Sequence, residues 1–189
     1  MKTTLRCHWV GEDPLYIRYH DEEWGIPVHD DRKLFEFLVL ESAQAGLSWI
    51  TILRKRENYR KAFAAFDPVK VARFDKAKVQ KLMENAGIIR NQAKIRAAIN
   101  NAGRFLEVQK EFGSFANYIW SFVGGKPLKN RPKKPGQIPA TTEISDRLAN
   151  DLKARGFKFL GSTVMYAHMQ ATGMVDDHLS TCHRARGRA

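Results

Sequence analysis

Cysteine is rare in this chain. Its two copies stand at opposite ends, each with a histidine at a spacing that suits a shared metal: Cys7 with His20, and His178 with Cys182. Two thiolates and two imidazoles make the tetrahedral set of a closed structural zinc site. One ion held by all four would bring the N-terminal arm against the C-terminal tail and fasten ends that otherwise fray. His178 and Cys182 have the i, i+4 spacing that places two side chains on one helix face, while His8 and His183, beside the cysteines, are alternative ligands. Two buried thiols that never meet, or one disulfide, are the plainer readings. With only six histidines in the chain, two falling this way beside the cysteines weigh toward the metal.

A second chemical feature is Glu41. Leu34, Phe37 and Leu38 make an apolar helix face, and Glu41 continues it with Ala45 one turn on. A carboxylate on a core-facing stripe must be paired, protonated or open onto a cavity. The segment AGLSW follows, with Trp49 on roughly the same side. An acid beside an aromatic plane suits a flat, cationic ligand, through one charge contact and one stacking or cation–π contact; a structural ion pair is the competing explanation. Trp9, Tyr16, Tyr19 and Trp24 cluster between and around Cys7 and His20, so a metal there would also position these rings. The third feature is AGIIRN, residues 86–91, which reads as the turn of a helical hairpin with Arg90, Lys94 and Arg96 about it. Such a turn offers backbone N–H groups and a helix N-terminus to a phosphate, although an ordinary helical hairpin has the same signature.

The elements that must position these residues are helical. Asp30 or Asp31 can cap a helix through LFEFLVLESAQAG, and Asp67-Pro68 opens one through VKVARF. Asp75 begins KAKVQKLMEN with Gly87 as its stop, and Asn91 opens QAKIRAAINNAGRFL, whose Ile95, Ala98, Ile99, Ala102 and Phe105 share a face. Further helices are expected at about 115–123, 145–155 and 162–172. Residues 124–142, with four prolines and five basic side chains, read as an exposed loop with no packed element, and HRARGRA as a short basic tail. Strand-like alternation is almost absent, so the fold class is all-α. The 189 residues can bury a substantial core, and 32 Lys and Arg against 20 Asp and Glu, a net charge of +12, raise the expectation of a polyanionic partner. No apolar run is long enough for a membrane span and the start has no apolar signal region, so the expectation is a cytoplasmic protein without a membrane partner. A reducing cytosol favours a metal over a disulfide.

Taken together, CHWVGEDPLYIRYHDEEWG, LESAQAGLSWITILRKRENYRKAF, AGIIRNQAKI and RGFKFLGSTVMYAHMQATGMVDDH resemble the class I 3-methyladenine DNA glycosylases of the helix-hairpin-helix group. The resemblance covers nearly the whole chain, with the basic loop as its least matched part. It implies a single glycosylase domain over 1–189, built as two helical lobes around a cleft. The hairpin element would span about 75–106, and the termini at about 7–20 and 178–182 would be tied by one structural Zn2+ on Cys7, His20, His178 and Cys182. Glu41 falls on the carboxylate that recognises the methylated base and Tyr19 and Trp49 on its aromatic partners, with Trp9 and Trp24 as further pocket walls. Gly87, Ile88, Arg90, Asn91 and Lys94 belong to the DNA-anchoring hairpin, and Leu47 is the candidate wedge that fills the space of the flipped nucleotide. The tail departs from the pattern, carrying one cysteine and ending in arginines.

The activity implied is hydrolytic release of 3-methyladenine from alkylated double-stranded DNA by a monomer, leaving an abasic site. Many relatives in the wider superfamily use an aspartate beyond the hairpin, whereas residues 91–123 here offer only Glu107 and Glu111. Strand cleavage would need an amine for a Schiff base, and Lys94, the lysine nearest the hairpin, has no pattern placing it in the cleft, so a monofunctional enzyme is expected. A zinc deaminase lacks its H-x-E…P-C-x-x-C signature here, and an iron–sulfur glycosylase is excluded by cysteine count. The remaining alternative is a zinc-stabilised module that binds damaged DNA without excising the base.

Overall fold

The computed structural model describes residues 4–186, so the first three residues and the end of the basic tail lie outside the described residues. Helix α1 (Pro14–Glu22) starts at Asp13, whose carboxylate accepts the Leu15 amide. Helix α2 (Asp31–Gln44) is capped by Asp30, and its residues 34–43 are buried throughout. Such all-round burial belongs to a helix at the centre of a fold. It packs against α3 (Trp49–Ala62), α6 (Gln92–Phe112), α7 (Phe115–Ser121) and α9 (Ser162–Ala171). The short α4 (Pro68–Val71) and α5 (Lys76–Glu84) lie on α6, and α8 (Glu143–Ala154) packs along α9. Two groups of helices therefore meet at α2. Among the described residues, no helix is long and apolar enough to cross a membrane.

Most of the expected punctuation operates. Asp67, Asp75 and Asn91 each accept first-turn amides of the helix they open. The helix after Asp67-Pro68 is one turn long and ends before Phe74, and α5 ends at Asn85 rather than at Gly87. On α6, Ile95, Ala98, Ala102 and Phe105 are buried as their spacing requires, and Ile99 sits at the edge of that face. Gly113, at φ 81°, ends α6. The turn into α7 is pinned by Asp31, which accepts the amides of Phe115 and Ala116, both at 2.8 Å.

Two expectations are corrected. Residues 124–142 are not free of packed structure: β1 (Leu128–Lys129) pairs in parallel with β2 (Val175–Asp176), Pro132 is buried, and Pro132 O accepts the Ser180 amide at 2.8 Å. Proline is compatible with this because a two-residue strand makes few ladder bonds, and Pro135 occupies the first position of a short 3-10 turn. Residues 178–182 are not a helix. The Asp176 carboxylate takes the His178 amide and Pro132 takes that of Ser180, which diverts the backbone from helical bonding.

Candidate active site and metal cluster

Glu41 projects from the last turn of α2 and is 4% exposed. No hydrogen bond or ion pair reaches its carboxyl among the described residues, and burial pushes it up to about 8. It opens onto a cavity of about 270 Å³. Tyr16 and Tyr19 of α1, Trp9 of the N-terminal arm, Trp24, and Trp49 at the start of α3 form the aromatic walls. Trp9 lies 4.9 Å from Tyr16 and 5.1 Å from Trp24, and Tyr19 lies 5.5 Å from Trp49, between ring centroids. The Trp49 indole N–H is buried without a protein partner. Burial and the charge of Glu41 raise the Tyr16 and Tyr19 hydroxyls, which stay neutral donors. A neutral acid that ionises when a cation arrives, inside a box of aromatic faces, is suited to a flat cationic ring.

Behind the aromatic wall, Cys7, His20 and Cys182 bring their ligand atoms within 4.8 Å of one another, all buried. His20 Nδ1 faces Asp21 Oδ1 at 2.7 Å, which leaves Nε2 for the cluster, 3.5 Å from Cys182 Sγ. His178 repeats the arrangement: Nδ1 faces Asp176 Oδ1 at 2.9 Å, and Nε2 is buried without a partner. Its ring centroid lies 5.0 Å from that of His20. A carboxylate on Nδ1 that frees Nε2 is the usual outer support of a metal-bound histidine. Gly25, at φ 74°, is needed here, since a Cβ would stand 2.7 Å from His178 Cε1. Cys7, His20 and Cys182 together could hold a metal ion.

The hairpin is buttressed by α3. Lys55 Nζ donates to Ala86 O at 2.8 Å, and the Tyr59 hydroxyl accepts the Ile89 amide at 3.1 Å. Asn58 lies so close to Gly87 that a Cβ would be 2.9 Å from its Cγ. The amide of Gly87 is taken by Asn85 Oδ1, that of Ile88 by Asn85 O, and that of Asn91 by Ile89 O. The turn amides expected to face an anion are thus mostly spent inside the turn, and Asn91 takes the Lys94 amide, leaving those of Gln92 and Ala93 at the start of α6 as outward donors. Ile88 is 2% exposed and belongs to the core; Arg90 and Asn91 are exposed. Lys94 points the other way, donating to Ala43 O at 2.9 Å and Ala45 O at 2.6 Å, the last carbonyls of α2. Leu47, two residues further along that turn, is 41% exposed.

The family model for methyladenine glycosylase matches residues 9–185. The chain belongs to this family. It is 51% identical to DNA-3-methyladenine glycosylase 1 of Escherichia coli (strain K12), over 94% of this chain and 95% of that protein. A crystal structure of 3-methyladenine DNA glycosylase I, 51% identical, superposes with a TM-score of 0.93 over 95% of this chain and 98% of the other. A single-residue variant of such a glycosylase, solved in complex with 3-methyladenine, is 37% identical with a TM-score of 0.93 over 97% and 98% of the two chains.

In this methyladenine glycosylase, the cavity gathers Glu41, Tyr19, Trp49, Trp9 and Trp24, and it adds residues that sequence reasoning did not assign to it. Tyr16 and Gln44 line it too, and their signal was helical spacing, one turn from Tyr19 and from Glu41. Pro135, Ile138, Ala167 and Gln170 arrive from distant segments and leave no local signal. A larger cleft of about 510 Å³ shares Tyr19, but most of the charges that line it are paired with one another. There Arg56 is held by Glu36 at 2.7 Å and Glu23 at 2.8 Å, and Lys33 by Glu23 at 3.0 Å. That network braces α1, α2 and α3, whereas the smaller cavity holds the unpaired acid.

Proposed function

We propose that this chain flips an alkylated nucleotide out of duplex DNA, hydrolyses its glycosidic bond and releases 3-methyladenine, leaving an abasic site for base-excision repair. The observation that carries this reading is Glu41, an unpaired carboxyl buried at the floor of an aromatic box. Methylation at N3 gives adenine a positive charge and weakens its bond to the sugar, so the base leaves as a neutral molecule and needs little protonation. The enzyme's task is then selection and orientation. Glu41 ionises against the cation, the rings of Tyr19 and Trp49 stack on it, and Trp9, Trp24 and Tyr16 exclude water from its faces. Extrusion costs a few kcal/mol, least for a damaged base, and Leu47, exposed at the α2–α3 turn, is the wedge that holds the gap. Arg90 and the first amides of α6 grip phosphate.

Glu107 and Glu111 are exposed and ion-paired with Arg104 and Arg155, so neither acts at the cavity. Lys94 is engaged with carbonyls at the end of α2, which favours a monofunctional enzyme. Cys7, His20, His178 and Cys182 would hold one Zn2+, whose contribution is a structural tie between arm and tail. The test is incubation with methylated duplex DNA. Free 3-methyladenine by chromatography, alkali-labile abasic sites and no borohydride-trapped adduct are expected. A folded, metal-loaded protein that binds this DNA and releases no base would overturn the reading in favour of a damage-binding module.

A further inference from the structure

One wall residue of the cavity is oriented from behind. Gln170 donates through Nε2 to Asp177 Oδ2 at 2.8 Å. Asp177 is 1% exposed and receives two more hydrogen bonds, from the Tyr166 hydroxyl at 2.6 Å and from Asn130 Nδ2 at 2.7 Å. Tyr166 and Gln170 stand one turn apart on α9, while Asn130 and Asp177 each follow a strand of the parallel pair. The pair therefore does more than tether the basic loop: it sets a buried carboxylate against the back of the base cavity. A carboxylate receiving hydrogen bonds is an acceptor, so the Gln170 carboxamide must turn its NH2 toward Asp177. One Nε2 hydrogen is spent on Asp177; the second stays on that nitrogen, and Oε1 is the acceptor the side chain has left to offer. Gln170 lines the cavity beside Glu41 and Ala167.

We propose that Gln170 is a specificity-determining residue: its carboxamide, locked by Asp177, offers the base cavity a fixed acceptor that favours a purine with an exocyclic amino group over one with a carbonyl there. Adenine carries a donor at that position and guanine an acceptor. Stacking and the attraction of a cation to Glu41 are common to 3-methyladenine and 3-methylguanine, so neither separates them. A fixed acceptor set against a carbonyl leaves two acceptors without a proton between them, which is discrimination by an unpaired polar group. Asp177 acts through Gln170 and is a positioning residue.

The inference rests on the reading of this cavity as a base pocket, and the test separates the two. Release of 3-methyladenine and of 3-methylguanine is measured from the same methylated DNA for wild type, Gln170→Met and Asp177→Asn. In Gln170→Met the 3-methyladenine kcat/KM should fall about tenfold, the worth of one hydrogen bond, with 3-methylguanine unchanged or faster. Asp177→Asn, which lets the carboxamide turn over, should lower the same ratio with Gln170 still present. Rates that fall in step for both bases, or a ratio unchanged in the folded variants, would overturn the proposal. If wild type releases neither base, the glycosylase reading fails. Competition of the two free bases, followed by quenching of the cavity tryptophans, then decides on Gln170 alone: a Gln170→Met loss of preference supports the proposal and an unchanged preference overturns it.

Discussion

Glu41 illustrates how much one misplaced polarity can say. Its position on an apolar stripe is visible in the sequence, and a carboxylate there has few physical options; the fold selects burial without a partner, facing a cavity. The consequence for stability follows from linkage. The folded protein binds the Glu41 proton more tightly than the unfolded chain does, with the carboxyl raised from 4.5 to about 8. This contribution is present in full below about 4.5 and is lost as pH rises through 8. At about 1.4 kcal/mol per pH unit, the loss is on the order of 4–5 kcal/mol. Glu41→Gln, which has no proton to lose, should therefore match wild type near pH 5 and exceed it in thermal stability at pH 9. Equal melting temperatures at pH 9 would mean that the carboxyl is solvated or paired. Gln170 shows the limit of reading single residues. Its role depends on Asp177, seven residues further on and past the end of the helix, and on Asn130, which is distant in sequence, and nothing in the pattern around residue 170 links them.

At the level of elements, capping residues made the helices legible, because Asp30, Asp67, Asp75 and Asn91 each do in the fold what their chemistry allows next to an apolar-periodic run. The inside of the hairpin was less legible. Positive residues near a turn suggest phosphate contact, but which amides remain free depends on Asn85 and on Tyr59 from another helix. Lys94 likewise looks like a phosphate ligand by proximity, whereas its ammonium complements the carbonyl end of α2. It thus ties the hairpin to the turn that carries Leu47. Gly87 has a steric reason to be glycine, since a Cβ would lie 2.9 Å from both Asn58 Cγ and Asn85 Oδ1. Gly87→Ala should cost about 1–3 kcal/mol of stability, as overpacking does. It should also weaken duplex binding while leaving affinity for free 3-methyladenine unchanged. A parallel loss of both affinities would show that the hairpin and the cavity are not separate contributors.

For the whole molecule, the dominant device is the meeting of the two ends. Cys7, His20, His178 and Cys182 were legible as a candidate set because cysteine is scarce; Cys7, His20 and Cys182 converge within 4.8 Å although the helix expected around His178 does not form. The parallel strands were not legible, since two residues each give no alternation to detect. They hold the basic loop against the C-terminal segment and bring Pro135 and Ile138 to the wall of the aromatic cavity. With zinc as the proposed occupant, the native protein should carry about one ion per chain. Stripping it with a strong chelator should cost several kcal/mol, a fall on the order of 10 °C at about 2–4 °C per kcal/mol for a chain of this size. Loosening the arm that bears Trp9 should also raise KM. A melting temperature indifferent to chelation would remove the metal tie from this picture.

The most direct test of the central claim, that a buried carboxyl selects a cationic base by charge, is the pH dependence of kcat/KM for 3-methyladenine excision in wild type and Glu41→Gln. The free-enzyme carboxyl governs this parameter, and a cation stabilises its ionised form. Wild type should therefore rise with pH and level off above about 8, while the variant should be slow and lack that rise. A Glu41→Gln enzyme with wild-type rates and the same pH profile would contradict the claim.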